Sequence, residues 1–311
     1  MAYIDNVVKV ILEKDYFRKD AGWHIDIRDA KKNNGVVLSA ITIMNENQTV
    51  APVFYIDGYS EKGYTEEAAA QSIYENYQKN IGETSRMNDN ELIHKLSQFS
   101  NVKNNICYKI VNTQANRRMF RDAPHFPITD DLSVMYYLQI ERGATATITN
   151  QMLDVWGIDK NDAVNKLWDY AYKNTMEQNT PDFFNIAEKL YPYMDKDDFD
   201  TSLYVLSNKD RTFGASVLLY DNTDILKDCL NKVKDETGNN CKGLYVLPSS
   251  IHELILVPDN GDMNKNYMMQ MVREVNSTEV RTDEILSNNV FYFDADKGFR
   301  QITHSIQEIS R

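Results

Sequence analysis

The feature of this sequence that most constrains its fold is the order of its strand-forming runs, which come in pairs ahead of helical segments. VVLSAITI (36–43) is followed by PVFYI (52–56), and LYVLP (244–248) is followed by ELILVP (253–258). Doubly wound folds instead alternate single strands with helices, and their sheets are parallel. The pattern therefore predicts an α+β fold with antiparallel-rich sheets and helices packed on them.

Turn-forming residues indicate where the chain reverses between paired strands. Asn33-Asn34-Gly35 separates a strand near 23–30 from VVLSAITI, and asparagine and glycine tolerate the positive φ that tight turns need. Glu141-Arg142-Gly143 separates LSVMYYLQI from GATATIT, whose alternation of small apolar residues with threonine is typical of a half-exposed strand. We expect hairpins at 36–56 and 132–149.

The length of the chain and one linker-like segment indicate two domains. The 311 residues exceed the usual size of a compact domain, roughly 100–150 residues. SNVKNN at 100–105 is the most linker-like segment. We therefore predict an N-terminal α+β domain at 1–101, with a helix, three strands and further helices, and a C-terminal α+β domain at 102–311.

The charge balance excludes some classes of partner. The formal net charge is −12, which disfavours general binding to nucleic-acid phosphates and to anionic membranes. No run approaches the roughly 18 apolar residues of a membrane span, and the N-terminal residues lack the pattern of a signal peptide. Cys107, Cys229 and Cys241 are too few and too widely spaced for a disulfide framework or a zinc site. We expect a cytoplasmic protein that does not contact a membrane.

Nucleotide and metal motifs occur only in incomplete form. Gly58-to-Gly63 has the outer glycine spacing of a phosphate-binding loop, but Tyr64-Thr65 stands where a lysine and a hydroxyl residue are needed. The segment from Asp262 matches the first ligand positions of a calcium loop, but Arg273 occupies the position of the bidentate glutamate. We expect neither a cofactor nor a metal site.

Two histidine-containing segments are the candidates for a catalytic site. His252-Glu253 follows Ser249, and His125 precedes Asp131. A histidine held by a carboxylate beside a serine is the arrangement of a nucleophilic hydrolase. Ser249 lacks the flanking glycines of a nucleophile elbow, however, so a turn followed by a half-buried strand histidine is the favoured interpretation. A hydrolase using His252 and Glu253 with His125 and Asp131 stays the alternative hypothesis, and we favour a protein that is not an enzyme.

A basic window interrupts the acidic chain. From Leu92 to Arg121 there is no aspartate or glutamate, and the charge on the remaining residues is therefore −18. The six basic residues of the window are Lys95, Lys103, Lys109, Arg117, Arg118 and Arg121. We expect a short basic helix near 113–121 whose guanidiniums suit carboxylate or phosphate groups. Arg117, Arg118, Arg121 and Lys109 are the candidate binding residues, and pairing of these arginines with the chain's own acids is the alternative.

Several segments together resemble a known family. These are KNNGVVLSAITI (32–43), APHFPITDDLSV (123–134), YVLSNKDRTFGASVLLY (204–220), LYVLPSSIHELILVPDNGD (244–262) and MVREVNSTEV (271–280). They resemble the bacterial domain-of-unknown-function family 5688, and the order of elements is more distantly similar to family 1444. The resemblance implies a lineage without an assigned activity. The acid-free NTQANRRMFR before the Pro124-His125 dipeptide departs from the family pattern, which mixes acids into this segment.

The sequence thus favours a macromolecular interaction protein without catalytic activity. We expect a protein partner, and direct nucleic-acid binding only through the 95–121 basic patch. An acidic protein can occupy a basic nucleic-acid-binding groove by mimicking phosphate spacing, so one form of this hypothesis is an inhibitor or counter-defence factor carried by mobile DNA.

Overall fold

The computed structural model describes residues 3–46, 51–84, 89–141, 144–190, 203–237, 240–261 and 264–301. The chain forms two compact units, residues 1–101 and 102–311. The first unit contains one sheet and the second contains two, and each unit has its own buried apolar side chains. The two units are therefore described separately.

The first unit is a three-stranded antiparallel sheet with helices. Its strands are β1 (Trp23–Lys31), β2 (Val37–Asn45) and β3 (Val53–Tyr55), and they lie in the order β1-β2-β3. Its helices are α1 (Tyr3–Glu13), α2 (Asp57–Glu61), α3 (Glu66–Thr84), α4 (Asp89–Ser97) and α5 (Phe99–Val102), the last of which extends one residue past the boundary at Asn101.

The hairpin between β1 and β2 forms at the predicted turn. Asn34 and Gly35 both have positive φ, 58° and 70°, which is the conformation that asparagine and glycine tolerate. The pairing is continuous, from Trp23 opposite Asn45 to Lys31 opposite Val37. The prediction of a hairpin turn at residues 33–35 is confirmed.

The core of the first unit lies between the sheet and two helices. Val7 and Ile11 on α1, Ile41 on β2, and Ile73 and Tyr77 on α3 are all fully buried in one cluster. The apolar residues of α1 recur three and four positions apart, so one face of the helix turns toward the sheet.

The second unit contains two antiparallel sheets. The four-stranded sheet consists of β4 (Ile106–Asn112), β5 (His125–Pro127), β6 (Leu132–Glu141) and β7 (Ala144–Thr147), and β6 pairs with the other three. The six-stranded sheet consists of β8 (Pro181–Asn185), β9 (Tyr204–Asn208), β10 (Leu244–Ser250), β11 (Glu253–Pro258), β12 (Phe291–Asp294) and β13 (Gly298–Gln301). Its strand order is β13-β12-β10-β11-β9-β8.

Helices surround these sheets. They are α6 (Asn150–Trp156), α7 (Ala163–Gln178), α8 (Ile186–Leu190), α9 (Asp224–Thr237), α10 (Lys265–Thr278) and a 3-10 helix at Gly214–Thr223. Met268 and Val272 of α10 pack on Tyr245 and Leu247 of the six-stranded sheet. Among the helices that the structure describes, none combines the length and the apolar character needed to cross a membrane.

The α+β prediction is confirmed, because every strand pairing in the three sheets is antiparallel. β2 pairs with β3, with Ala40 opposite Tyr55. β6 pairs with β7, with Tyr137 opposite Thr147. Both expected hairpins, at 36–56 and 132–149, are therefore present. Antiparallel strands need only short connections, which is why paired runs in the sequence become hairpins.

Candidate functional site

The segment that joins β4 to β5 carries the exposed arginines, and it is not the short helix that the sequence predicts. Residues 113–118 form consecutive turns, and a single 3-10 turn follows at Met119–Arg121. The Asn112 side chain accepts the Ala115 amide proton at 2.9 Å, and the Asn116 side chain donates to the Asn112 carbonyl at 2.8 Å. Asparagine side chains that bond nearby backbone groups compete with the helical pattern, so the prediction of a helix was wrong.

Hydrogen bonds and packing hold this segment, here called the arginine turn (residues 113–121), against the rest of the second unit. Asn116 is only 1% exposed, so the bond from its side chain is shielded from water. Asn150 at the start of α6 donates its side-chain amide to the Arg121 carbonyl at 3.0 Å, and its backbone amide to the Asp122 carbonyl at 2.7 Å. The turn is therefore anchored at both ends.

The apolar residues of the arginine turn face inward. Met119 and Phe120 pack on a small cluster of Val111, Ala123 and Met135. This packing orients the turn, because two large apolar side chains that pack on one side leave the flanking arginines on the other.

The arginine side chains themselves face solvent. Arg117, Arg118 and Arg121 are all exposed, and within the described residues none of them forms an ion pair. The alternative, in which these arginines pair with the chain's own acids, therefore finds no support in the described part of the chain. Three guanidiniums on an anchored turn present donors in a planar fork that fits carboxylate or phosphate groups.

Lys109, the fourth candidate binding residue, is not part of this exposed group. It is 8% exposed, and its ammonium lies 4.8 Å from the centre of the Phe213 ring. Met135 lies opposite both Lys109 on β4 and His125 on β5, so these three side chains share one face of the sheet. Burial over an aromatic ring indicates a structural cation for Lys109.

His252 lies in the turn between β10 and β11, where four contacts hold it. Its Nδ1 accepts the backbone N–H of Phe213 at 3.2 Å, and its ring is stacked on the Phe213 ring. Its backbone N–H is bonded to the Ser250 hydroxyl, and its carbonyl to the Ser207 hydroxyl. Because Nδ1 is an acceptor, neutral His252 carries its proton on Nε2, 3.9 Å from a carboxylate oxygen of Glu284. The neighbouring acid is therefore Glu284 rather than Glu253.

Neither nearby serine is placed as a nucleophile. Ser250 bonds the backbone of His252 rather than its ring. Ser249 lines an apolar cavity of about 200 Å³ together with Leu247, Ile255 and Val275. A serine nucleophile needs a base within hydrogen-bond reach of its hydroxyl, and in the ranges that the structure describes no imidazole is bonded to either serine.

His125 and Asp131 also have separate environments. The Nδ1 of His125 lies 3.0 Å from the Ala123 carbonyl, and the ring is stacked on Phe120 at 3.9 Å between centres. Asp131 instead accepts from the side chains of Asn112, Ser287 and Asn289. The structure thus brings no two of the four proposed catalytic residues into a hydrogen-bonded His–carboxylate pair within the described chain.

The thiols are equally unsuited to nucleophilic chemistry. Burial raises the pKa of the Cys107 thiol to about 11 and that of Cys229 to about 12. Both remain protonated at neutral pH, and the thiolate is the reactive form.

One structured segment was missed by the sequence reasoning, the loop at 208–214 between β9 and the 3-10 helix. Both polar groups of the buried Asn208 side chain bond the backbone of Thr212, and Arg211 and Phe213 have positive φ. A Cβ on Gly214 would lie 2.2 Å from the His252 carbonyl, so only glycine allows this approach. The asparagine and glycine that bracket NKDRTFG were the local signal for such a turn.

Comparison with known proteins identifies a lineage and no activity. A model of the family described as "Family of unknown function (DUF5688)" matches residues 2–295. No curated protein and no solved structure matches the chain. In the described residues, no group of three or more histidine, cysteine, aspartate or glutamate side chains is arranged to hold a metal ion.

Proposed function

We propose that this chain, which belongs to the family of unknown function (DUF5688), is a non-enzymatic protein that binds a macromolecular partner. Membership of the family supplies no activity, so the proposal rests on the structure. The observation that carries the proposal is the arginine turn. Its three exposed guanidiniums form no ion pair within the described residues, and they lie on a segment anchored at both ends, which supports a role in binding an external anionic group.

The anchoring supports a binding role, because an ordered loop loses less conformational entropy when it binds. Asn116 and Asn150 hold the backbone of the turn, and Met119 and Phe120 hold its apolar side. A partner would then have to order only the ends of the arginine side chains. An arginine turn serving solubility alone would need none of these contacts.

A protein partner fits the charges better than a nucleic acid does. The residues outside the basic window carry −18, so a long polyanion that reached the arginine turn would also meet this negative charge. A protein can present acidic groups to the turn and basic groups to the acidic surface. In its specific form, we propose an inhibitor or counter-defence factor that is carried by mobile DNA and acts in the cytoplasm through its acidic surface. We also propose a distant relation to family 1444.

The proposal is tested by affinity purification from a native-type host with an Arg117→Glu/Arg121→Glu variant. We expect the unchanged chain to retain one partner in stoichiometric amount, and the variant to bind that partner about tenfold or more weakly. Added salt should weaken the association as well, because exposed charges are screened over roughly 8–10 Å.

The matched control is Lys227→Glu/Arg273→Glu, which makes the same change in net charge at two other exposed residues of the second unit. It should retain the partner. Equal loss in both double variants would indicate a general effect of net charge, and retention of the partner by both would refute a role for the arginine turn. Circular dichroism should show that both double variants are folded.

A further inference from the structure

The first unit has one long sheet edge with which no strand of the described residues pairs. β1 is nine residues long and pairs only with β2. The other edge strands of the first unit and of the six-stranded sheet are much shorter: β3, β8 and β13 have three, five and four residues. An open edge presents unpaired backbone N–H and C=O groups that can accept another strand.

The side chains of β1 combine charges of both signs with an exposed apolar residue. Six of its nine residues are exposed, and Ile27 in the middle of the strand is 47% exposed although it is apolar. Exposed edges are usually blocked by proline, by a bulge or by charged side chains. β1 has no proline, keeps a regular register with β2 and carries charges of both signs: Asp26 and Arg28 flank Ile27, and Asp29 and Lys31 follow them.

The two charges have no partner of opposite sign elsewhere in the described residues. Asp26 and Arg28 are both exposed, and neither belongs to the ion pairs of the described chain. They are two positions apart on a strand, so they lie on the same face of the sheet. In this respect β1 is complementary to a reversed copy of itself.

We propose that β1 pairs antiparallel with β1 of a second copy of this chain, about a two-fold axis at Ile27. The two three-stranded sheets then join into one sheet of six strands. Ile27 lies opposite Ile27 of the second copy, and Asp26 of each copy lies opposite Arg28 of the other. Opposite residues in antiparallel strands share a face, and this pairing keeps the helix-covered faces of both sheets on the same side.

The charges select this register over its neighbours. Moving the two-fold axis by one residue in one direction places Asp26 opposite Asp26, and moving it in the other direction places Arg28 opposite Arg28. Like charges directly opposite each other destabilise a strand pair. The axis at Ile27 is the position that satisfies both charges and buries the exposed isoleucine. The inference concerns the first unit and does not depend on the arginine turn.

A charge exchange tests the proposal on the full-length chain by sedimentation velocity over a series of protein concentrations. The unchanged chain should form a dimer as its concentration rises. Asp26→Arg alone and Arg28→Asp alone each place like charges opposite each other twice, so each should abolish the dimer. Asp26→Arg with Arg28→Asp restores both opposite-charge pairs and should restore it.

Hydrogen exchange provides a second measurement, because the β1 amides that point away from β2 should become protected only at the higher protein concentrations, whereas those bonded to β2 are protected throughout. Lys79→Asp, an exposed charge reversal on α3, is the control and should dimerise as the unchanged chain does. The proposal is overturned if the unchanged chain is a monomer at every soluble concentration, or if both single variants still form the dimer. It is also overturned if the double variant stays monomeric while its melting curve shows it to be folded.

Discussion

His252 shows how much a single residue's role depends on which of its atoms are engaged. The sequence placed it in a candidate catalytic segment, yet its Nδ1 accepts the Phe213 amide and its backbone is bonded to two serine hydroxyls. A general base needs a free nitrogen lone pair near the proton it removes. The lone pair on Nδ1 of neutral His252 already accepts the Phe213 N–H, so the ring holds the 208–214 loop in place.

We therefore expect His252→Ala to affect stability more than any biological activity. The substitution leaves the Phe213 N–H without its acceptor, which should lower the free energy of unfolding by about 1–3 kcal/mol. Chemical denaturation measures this loss, and the partner-binding assay measures function in parallel. His252→Asn retains an acceptor near the position of Nδ1 and should recover most of the stability. A soluble, folded His252→Asn variant that had lost a hydrolytic activity would instead favour the hydrolase hypothesis.

At the scale of elements, the structure shows which sequence signals are local and which are not. The turn at Asn33-Asn34-Gly35 was predictable because the residues that need positive φ are those in the turn itself. The basic segment at 113–121 was mispredicted as a helix because Asn112 and Asn116 bond the backbone. The helical spacing of the arginines gives no indication of these hydrogen bonds between side chain and backbone, which compete with a helix.

The contacts of Asp131 could not be predicted, because they join segments distant in sequence. Ser287, which donates to Asp131, is 156 residues further along the chain. Asn289 donates to the same carboxylate at 3.2 Å, and Asn112 at 3.2 Å from the adjacent strand β4. A hydrogen-bond network of this kind is set by tertiary packing, so the sequence showed only an aspartate near a histidine.

This network ties the start of β6 to the segment that precedes β12, and a pair of adjacent aspartates tests its strength. Asp131→Ala leaves three donors without an acceptor, and we expect it to lower the free energy of unfolding by about 2–3 kcal/mol. Asp130→Ala removes the neighbouring exposed carboxylate and should change stability by less than about 0.5 kcal/mol. Urea denaturation of both variants measures the difference. Similar values for the two would show that the network contributes nothing measurable.

At the scale of the whole molecule, the two compact units raise the question of whether they unfold separately. The first unit buries Tyr77 against Phe17, Trp23 and Phe54, and the second buries Leu256 in the six-stranded sheet. Both Tyr77 and Leu256 are 0% exposed. A domain with its own core can fold alone, whereas a chain with two such domains does not unfold in a single two-state step.

Independent unfolding predicts that a core substitution shifts one transition and leaves the other in place. Tyr77→Ala should destabilise the first unit by about 3–5 kcal/mol, and Leu256→Ala the second by about 2–5 kcal/mol. Trp23 is the one tryptophan of the first unit, so replacing Trp156 and Trp168 by phenylalanine makes fluorescence a reporter of that unit alone. With this reporter, thermal unfolding should shift for Tyr77→Ala and stay unchanged for Leu256→Ala. A shift of equal size in both variants would mean that the boundary near residue 101 separates two parts of one cooperative unit, and that the expectation of two domains is wrong.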